Sequence, residues 1–143
     1  MPGASRSIVV NAPPEKVYDI VINYDRYPEW LTEVKKISTS GRTGSEVKVH
    51  YEVDFKIKTI RYTILAREER PKRMSWSFVE GEVMKDNKGS WVLEPEGEGK
   101  TKITYNVEVT VGPLVPKSIL NTLVDQSLPK MLDAIKRRVE GGA

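Results

Sequence analysis

Between residues 46 and 57, apolar and polar side chains alternate without a break. Val47, Val49, Tyr51, Val53, Phe55 and Ile57 stand against Glu46, Lys48, His50, Glu52, Asp54 and Lys56. A period of two over this length predicts a β-strand with one buried and one wet face. Residues 60–66 continue with Ile60, Tyr62, Ile64 and Ala66 as the apolar set. Met74, Trp76 and Phe78 alternate with Ser75 and Ser77, and Gly81 predicts a bulge or bend. Asp86-Asn87-Lys88 reads as a hairpin turn. Residues 89–93 and 103–111 follow as strands, separated by the polar stretch 94–99.

The two ends of the chain carry a different period. A short strand over residues 5–11 leads into Pro13-Pro14-Glu15. Proline suits a first helical turn, and a carboxylate suits the positive end of the helix dipole. Val17, Ile20 and Val21 predict a short helix. Tyr27, Trp30 and Leu31 predict a second one over residues 25–31. After Gly112-Pro113, one long helix is expected over residues 116–140. Its apolar residues recur at three- and four-residue steps, and Pro129 predicts a kink or break inside it.

This order predicts an α+β fold: one strand, two short helices, an antiparallel sheet of six to seven strands in all, and a long C-terminal helix. A strand of about twelve residues spans roughly 40 Å, and six or seven strands make a sheet roughly 30 Å wide. A helix is only about 10–12 Å across. One helix covers such a sheet only if the sheet curls around it, and curling leaves a space between them. Seven aromatic residues share the apolar parity of the strands. They are Tyr51, Phe55, Tyr62, Trp76, Phe78, Trp91 and Tyr105. Tyrosine and tryptophan combine an apolar body with a polar tip, which suits a pocket that grips a molecule and offers it a few hydrogen bonds. The other reading of the same residues is a large, filled core.

Composition narrows the chemistry. The chain has 143 residues, of which 38% are apolar and 30% charged, and its formal net charge is +3. These values predict a soluble protein with a single domain over residues 1–143. There is no cysteine and one histidine, His50. Disulfide frameworks, thiol nucleophiles, iron–sulfur clusters and Cys/His zinc sites are excluded. The cytoplasm is the default location without cysteine pairs. Ile8-Val9-Val10 is too short for a signal-peptide core, and no apolar run is long enough to span a membrane.

Few motifs carry chemistry. Gly99-Lys100-Thr101 imitates the end of a phosphate loop, but the earlier glycine is replaced by Glu94 and a strand follows instead of a helix. His50 falls on the wet face, away from any interior nucleophile. Glu80 shares the parity of Phe78, so it is the candidate carboxylate for the cavity, with a position in water at the strand end as the other reading. Lys136-Arg137-Arg138 complements the C-terminal end of the long helix. It is also compatible with a peripheral membrane contact, and it lacks the interleaved aromatics that nucleic-acid stacking needs. No metal or cofactor is expected.

Several stretches resemble a known family. Residues 8–21, with Ile8-Val9-Val10-Asn11-Ala12-Pro13 at their start, look like its opening strand and helix. Tyr27-Pro28-Glu29-Trp30 looks like its Tyr-Pro-x-Trp second helix. Gly89-Ser90-Trp91-Val92-Leu93 and Lys102-Ile103-Thr104-Tyr105 look like its late hairpin. The family is the polyketide cyclase/dehydrase and lipid-transport superfamily, with START-related and coenzyme-Q-binding branches. The resemblance implies the helix-grip fold, a curved sheet around a C-terminal helix and a cavity. It implies no catalytic residue, because members of the family bind, carry, cyclise or hydrolyse different molecules.

The expected cavity lining is therefore Tyr51, Val53 and Phe55 on one strand and Tyr62 and Ile64 on the next. Trp76, Phe78, Trp91, Tyr105 and Val107 follow, with Leu120, Leu123, Val124 and Met131 from the helix. Binding or transport of a hydrophobic or aromatic molecule (a lipid, an isoprenoid quinone or a polyketide-like compound) is the leading expectation. An aromatase/cyclase or dehydrase is the second, and a protein or ribosome interaction module the third.

Overall fold

The structure is a computed structural model. It describes residues 3–31, 33–55, 58–82, 84–112 and 128–141. Strand β1 (Gly3–Val10) is followed by α1 (Pro14–Val21) and a 3-10 helix (Tyr24–Glu29). Six strands come next: β2 (Val34–Thr43), β3 (Glu46–Phe55), β4 (Lys58–Glu69), β5 (Arg73–Gly81), β6 (Met84–Pro95) and β7 (Thr101–Val111). Helix α2 (Leu128–Glu140) ends the chain. The seven strands form one antiparallel sheet in the order β1-β7-β6-β5-β4-β3-β2. The first strand thus closes the sheet beside the last. This is the curved sheet of the helix-grip fold.

The alternation predicted for β3 sets the register. Val49 faces Ile64, Tyr51 faces Tyr62 and Val53 faces Ile60 on β4. Val47, Val49, Val53, Ile60, Ile64 and Ala66 are all buried. Helix α2 turns Leu128, Leu132, Ile135 and Val139 inward. Its polar side is tied down as well. The Lys136 ammonium donates to the Val9 carbonyl at 3.2 Å and pairs with Glu140 at 2.6 Å. Arg138 reaches Glu29 at 2.8 Å. Two of the three cations in the basic cluster therefore hold the helix to the rest of the fold.

Three expectations change. The second short helix is a 3-10 turn, fastened to α1 by the Tyr27 hydroxyl donating to the Val21 carbonyl. Asp86-Asn87-Lys88 is no turn; it lies inside β6, and the chain reverses earlier, between Gly81 and Met84. The bulge or bend expected at Gly81 is a bulge two residues earlier, at Val79, because Phe78 pairs with Ile64 and Glu80 with Thr63. Gly81 serves a different purpose. A Cβ there would lie 2.5 Å from the Tyr62 Cβ, so only glycine fits beside that tyrosine. Residues 116–127 of the expected long helix lie outside the described residues, and Pro129 stands in the first described turn of α2.

Candidate functional site

Two groups of aromatic rings stand on the inward side of the sheet. In the first, Tyr51 and Tyr62 stack at 4.9 Å with their planes 12° apart. Tyr27 lies 6.4 Å from Tyr51 and packs edge-on against Tyr24 and Trp30. In the second, Tyr105 lies 4.8 Å from Trp91 and 5.4 Å from Trp76. The Trp76 ring lies over Gly89, where a Cβ would come within 2.6 Å of its Cζ2 and 2.1 Å of the Asn106 carbonyl oxygen. Glycine at that position makes room for the indole.

The tyrosines reveal the character of this interior. Burial pushes the phenols of Tyr51, Tyr62 and Tyr105 well above the ordinary range. Neighbouring phenols add to the shift at Tyr51, where Tyr27, Tyr62 and Tyr105 all contribute. Yet Tyr51, Tyr62 and Tyr105 keep part of their surface accessible. Tyr51 and Tyr62 also border a recess beside His50, whereas Tyr105 does not. No side-chain hydrogen bond to a described residue contributes at these three hydroxyls. At neutral pH these phenols are protonated, so they can donate hydrogen bonds and do not act as bases.

The expected lining residues fall as follows. Val53, Ile64, Trp76 and Trp91 are buried. Tyr51, Tyr62, Phe78, Tyr105, Val107 and Met131 are half-buried. Phe55 pairs through its backbone with Lys58, but its side chain is not described. Leu120, Leu123 and Val124 lie outside the described residues. Glu80 is corrected. The Val79 bulge shifts its parity, so it pairs with Thr63 on the outward side and is exposed. Val79, the extra residue, is 42% exposed.

Three interior polar residues were missed, one of them Thr101, which is fully buried and donates to the Ala12 carbonyl at 2.7 Å. Asn87 is 8% exposed and accepts the Trp76 indole N–H at 3.0 Å. Counting back by twos from Leu93 through Trp91 and Gly89 would have placed it on the inward face; its turn-forming neighbours hid that signal. Glu68 ends the inward row of β4. It accepts the Tyr24 hydroxyl at 2.8 Å and both arms of Arg42 at 3.0 Å. Burial acts to raise its pKa, but the hydrogen bonds from Arg42 and Tyr24 win and hold it below the usual carboxylate range. Glu68 is thus committed to the structure as an anion. Nearby, the buried Tyr18 hydroxyl has no hydrogen-bond partner among the described residues, and burial with the negative charge of Glu68 raises its pKa to about 12.

His50 and its polar neighbours lie on the outward face. His50 lies between Ser40 at 2.7 Å and Thr63 at 2.8 Å. A recess of about 950 Å³ runs over this region, bounded by the outward rows of His50 and Arg61, with Tyr51 and Tyr62 in its wall. Trp76, Trp91 and Tyr105 do not touch it. Among the described residues, no three His, Cys, Asp or Glu side chains are grouped to hold a metal ion. No described helix is long and apolar enough to cross a membrane.

Comparisons with known proteins place this geometry. The family described as polyketide cyclase / dehydrase and lipid transport matches residues 1–140. No curated protein matches the sequence. Among solved structures, a START superfamily protein from Mycobacterium smegmatis superposes with a TM-score of 0.87 at 19% identity, covering 99% of both chains. TTHA0849 from Thermus thermophilus gives 0.88 at 20% identity, also over 99% of both chains. The Zhui aromatase/cyclase from Streptomyces sp. R1128 gives 0.88 at 12% identity, over 97% of this chain and 93% of that one. Identities this low speak for the fold alone.

Proposed function

The chain belongs to the polyketide cyclase / dehydrase and lipid transport family, and on that premise we propose that it holds a hydrophobic or aromatic small molecule between its sheet and its C-terminal helix. The observation that carries this reading is the inward aromatic group of Trp76, Trp91 and Tyr105, in which the Tyr105 phenol is desolvated yet keeps accessible surface outside the recess beside His50. Apolar contact would come from Trp76, Trp91, Ile64 and Val53, and orientation from the phenol donors. A lipid, an isoprenoid quinone and a polyketide-like compound all meet those requirements. Native mass spectrometry of gently purified protein tests it. A retained ligand, or a one-to-one adduct with an added apolar aromatic compound, supports the reading. Bare protein in both cases, with no quenching of the tryptophans, removes it.

A second reading, aromatase/cyclase or dehydrase chemistry, is favoured by the same phenol donors, which could hold a folded oxygen-rich chain and donate protons to it. Under this reading Tyr105→Phe lowers turnover of a polyketide-like substrate more than it lowers binding. Equal losses in both assign Tyr105 to binding alone.

A further inference from the structure

The β5–β6 hairpin is zipped at the wrong end. Arg73 pairs with Val92, Met74 with Trp91, Ser75 with Ser90 and Trp76 with Gly89, and there the ladder stops. Both strands nevertheless continue toward their connecting turn. Beyond Trp76, β5 stays bonded to β4 through Phe78, Glu80 and Gly81. Ahead of Gly89, β6 stays bonded to β7 through Met84, Asp86, Asn87 and Lys88. A hairpin is ordinarily tightest beside its turn. Here the sheet divides at that point into a β2–β5 part and a β6–β7–β1 part.

Each lip of the split carries a bulge. On β5 the extra residue is Val79, between Phe78 and Glu80. On β6 it is Lys85, between Met84 and Asp86. Bulges bend a strand and interrupt pairing, so one on each strand favours divergence of the lips. What joins the lips is a side-chain bond, the Trp76 indole N–H donating to Asn87 Oδ1 at 3.0 Å. The Asn87 amide in turn reaches Met84 Sδ at 3.7 Å. Trp76 also lies 5.4 Å from Tyr105, so the split ends against the aromatic interior. Its outer margin bears the exposed apolar side chain of Val79.

We infer that the unzipped stretch between residues 77–81 and 84–88 is the passage through which an apolar ligand reaches the interior, with the Asn87–Trp76 hydrogen bond as its latch. This rests on the binding reading given above. It adds where the ligand passes and what must open.

The chain has no cysteine, so a pair can be introduced without interference. Val79→Cys combined with Lys85→Cys places one thiol on each lip, both at exposed positions. A short bismaleimide is used to bridge them in the folded protein, and N-ethylmaleimide caps them singly in the control. The probe is the neutral fluorophore N-phenyl-naphthylamine, followed by stopped-flow fluorescence. The bridge is expected to slow association and dissociation together, by about tenfold or more, with the equilibrium constant unchanged. In the uncapped parent, Asn87→Leu speeds both rates by roughly two- to tenfold, the range one neutral hydrogen bond supports. Bridged and capped proteins with equal rates would overturn the passage while leaving the binding reading intact. A capped protein and a parent that both fail to bind the probe would overturn the binding reading and the passage with it.

Discussion

The β3–β4 and β5–β6 hairpins are built from similar residues and behave differently. The first is paired from Glu46 with Arg67 to Phe55 with Lys58, without interruption. The second is paired only from Arg73 to Trp76. In β3 the alternation is unbroken, and its inward residues Val47, Val49, Tyr51 and Val53 meet Ala66, Ile64, Tyr62 and Ile60 on β4, which fixes the register. In β5–β6 each strand holds a bulge, and each follows its other neighbour instead. The intact ladder forms a wall, and the divided one leaves a place where the wall can open.

The contrast can be broken by alkali. All six tyrosines, Tyr18, Tyr24, Tyr27, Tyr51, Tyr62 and Tyr105, have pKa values raised above the ordinary phenol, chiefly by burial. A raised phenol favours the folded state fully below the unfolded pKa of about 10, and that stability is lost as pH rises toward the folded value. For Tyr18 the window runs from about 10 to about 12. Tyrosinate absorbance should therefore appear in one cooperative step together with unfolding. Gradual ionisation of several phenols in a still-folded protein would show that the interior is open to bulk water.

Point substitutions sharpen the comparison in decreasing order. Ile64→Ala, in the middle of the zipped hairpin and 3% exposed, should cost about 3 kcal/mol in urea denaturation. Tyr24→Phe removes the hydroxyl donating to the Glu68 carboxylate and should cost about 2 kcal/mol. The loss should shrink in acid, because a carboxylate with a depressed pKa gives up its contribution as pH falls through that value. Asn87→Ala removes the bond across the split and should cost only about 1 kcal/mol. A cost at Asn87 matching that at Ile64 would mean the split is as much part of the core as the ladder.

Much of the fold was legible because the wet and buried faces alternate so cleanly. Val47 to Val53 announced β3 and placed His50 outside, where Ser40 and Thr63 hold it. Parity carries information only until a bulge resets it. For Glu80 the sequence left an inward and a solvent-exposed reading open, because nothing in Phe78-Val79-Glu80 marks Val79 as the unpaired residue. Asn87 was read as a turn because asparagine beside aspartate favours reversal wherever no partner is known. Its partner, the Trp76 indole, is distant in sequence, and that contact exists only after folding. The 3-10 form of residues 24–29 was hidden for a related reason. Three- and four-residue spacings look alike over so short a stretch.

The central claim is that the ligand sits on the inward aromatic side and not in the outward recess beside His50. The most direct measurement is a titration of nitrogen-15-labelled protein with N-phenyl-naphthylamine, following the tryptophan indole and histidine ring signals together. Saturable one-to-one shifts of the Trp76 and Trp91 indoles, with His50 unmoved, are the predicted result. Shifts at His50 with both indoles unmoved would contradict it.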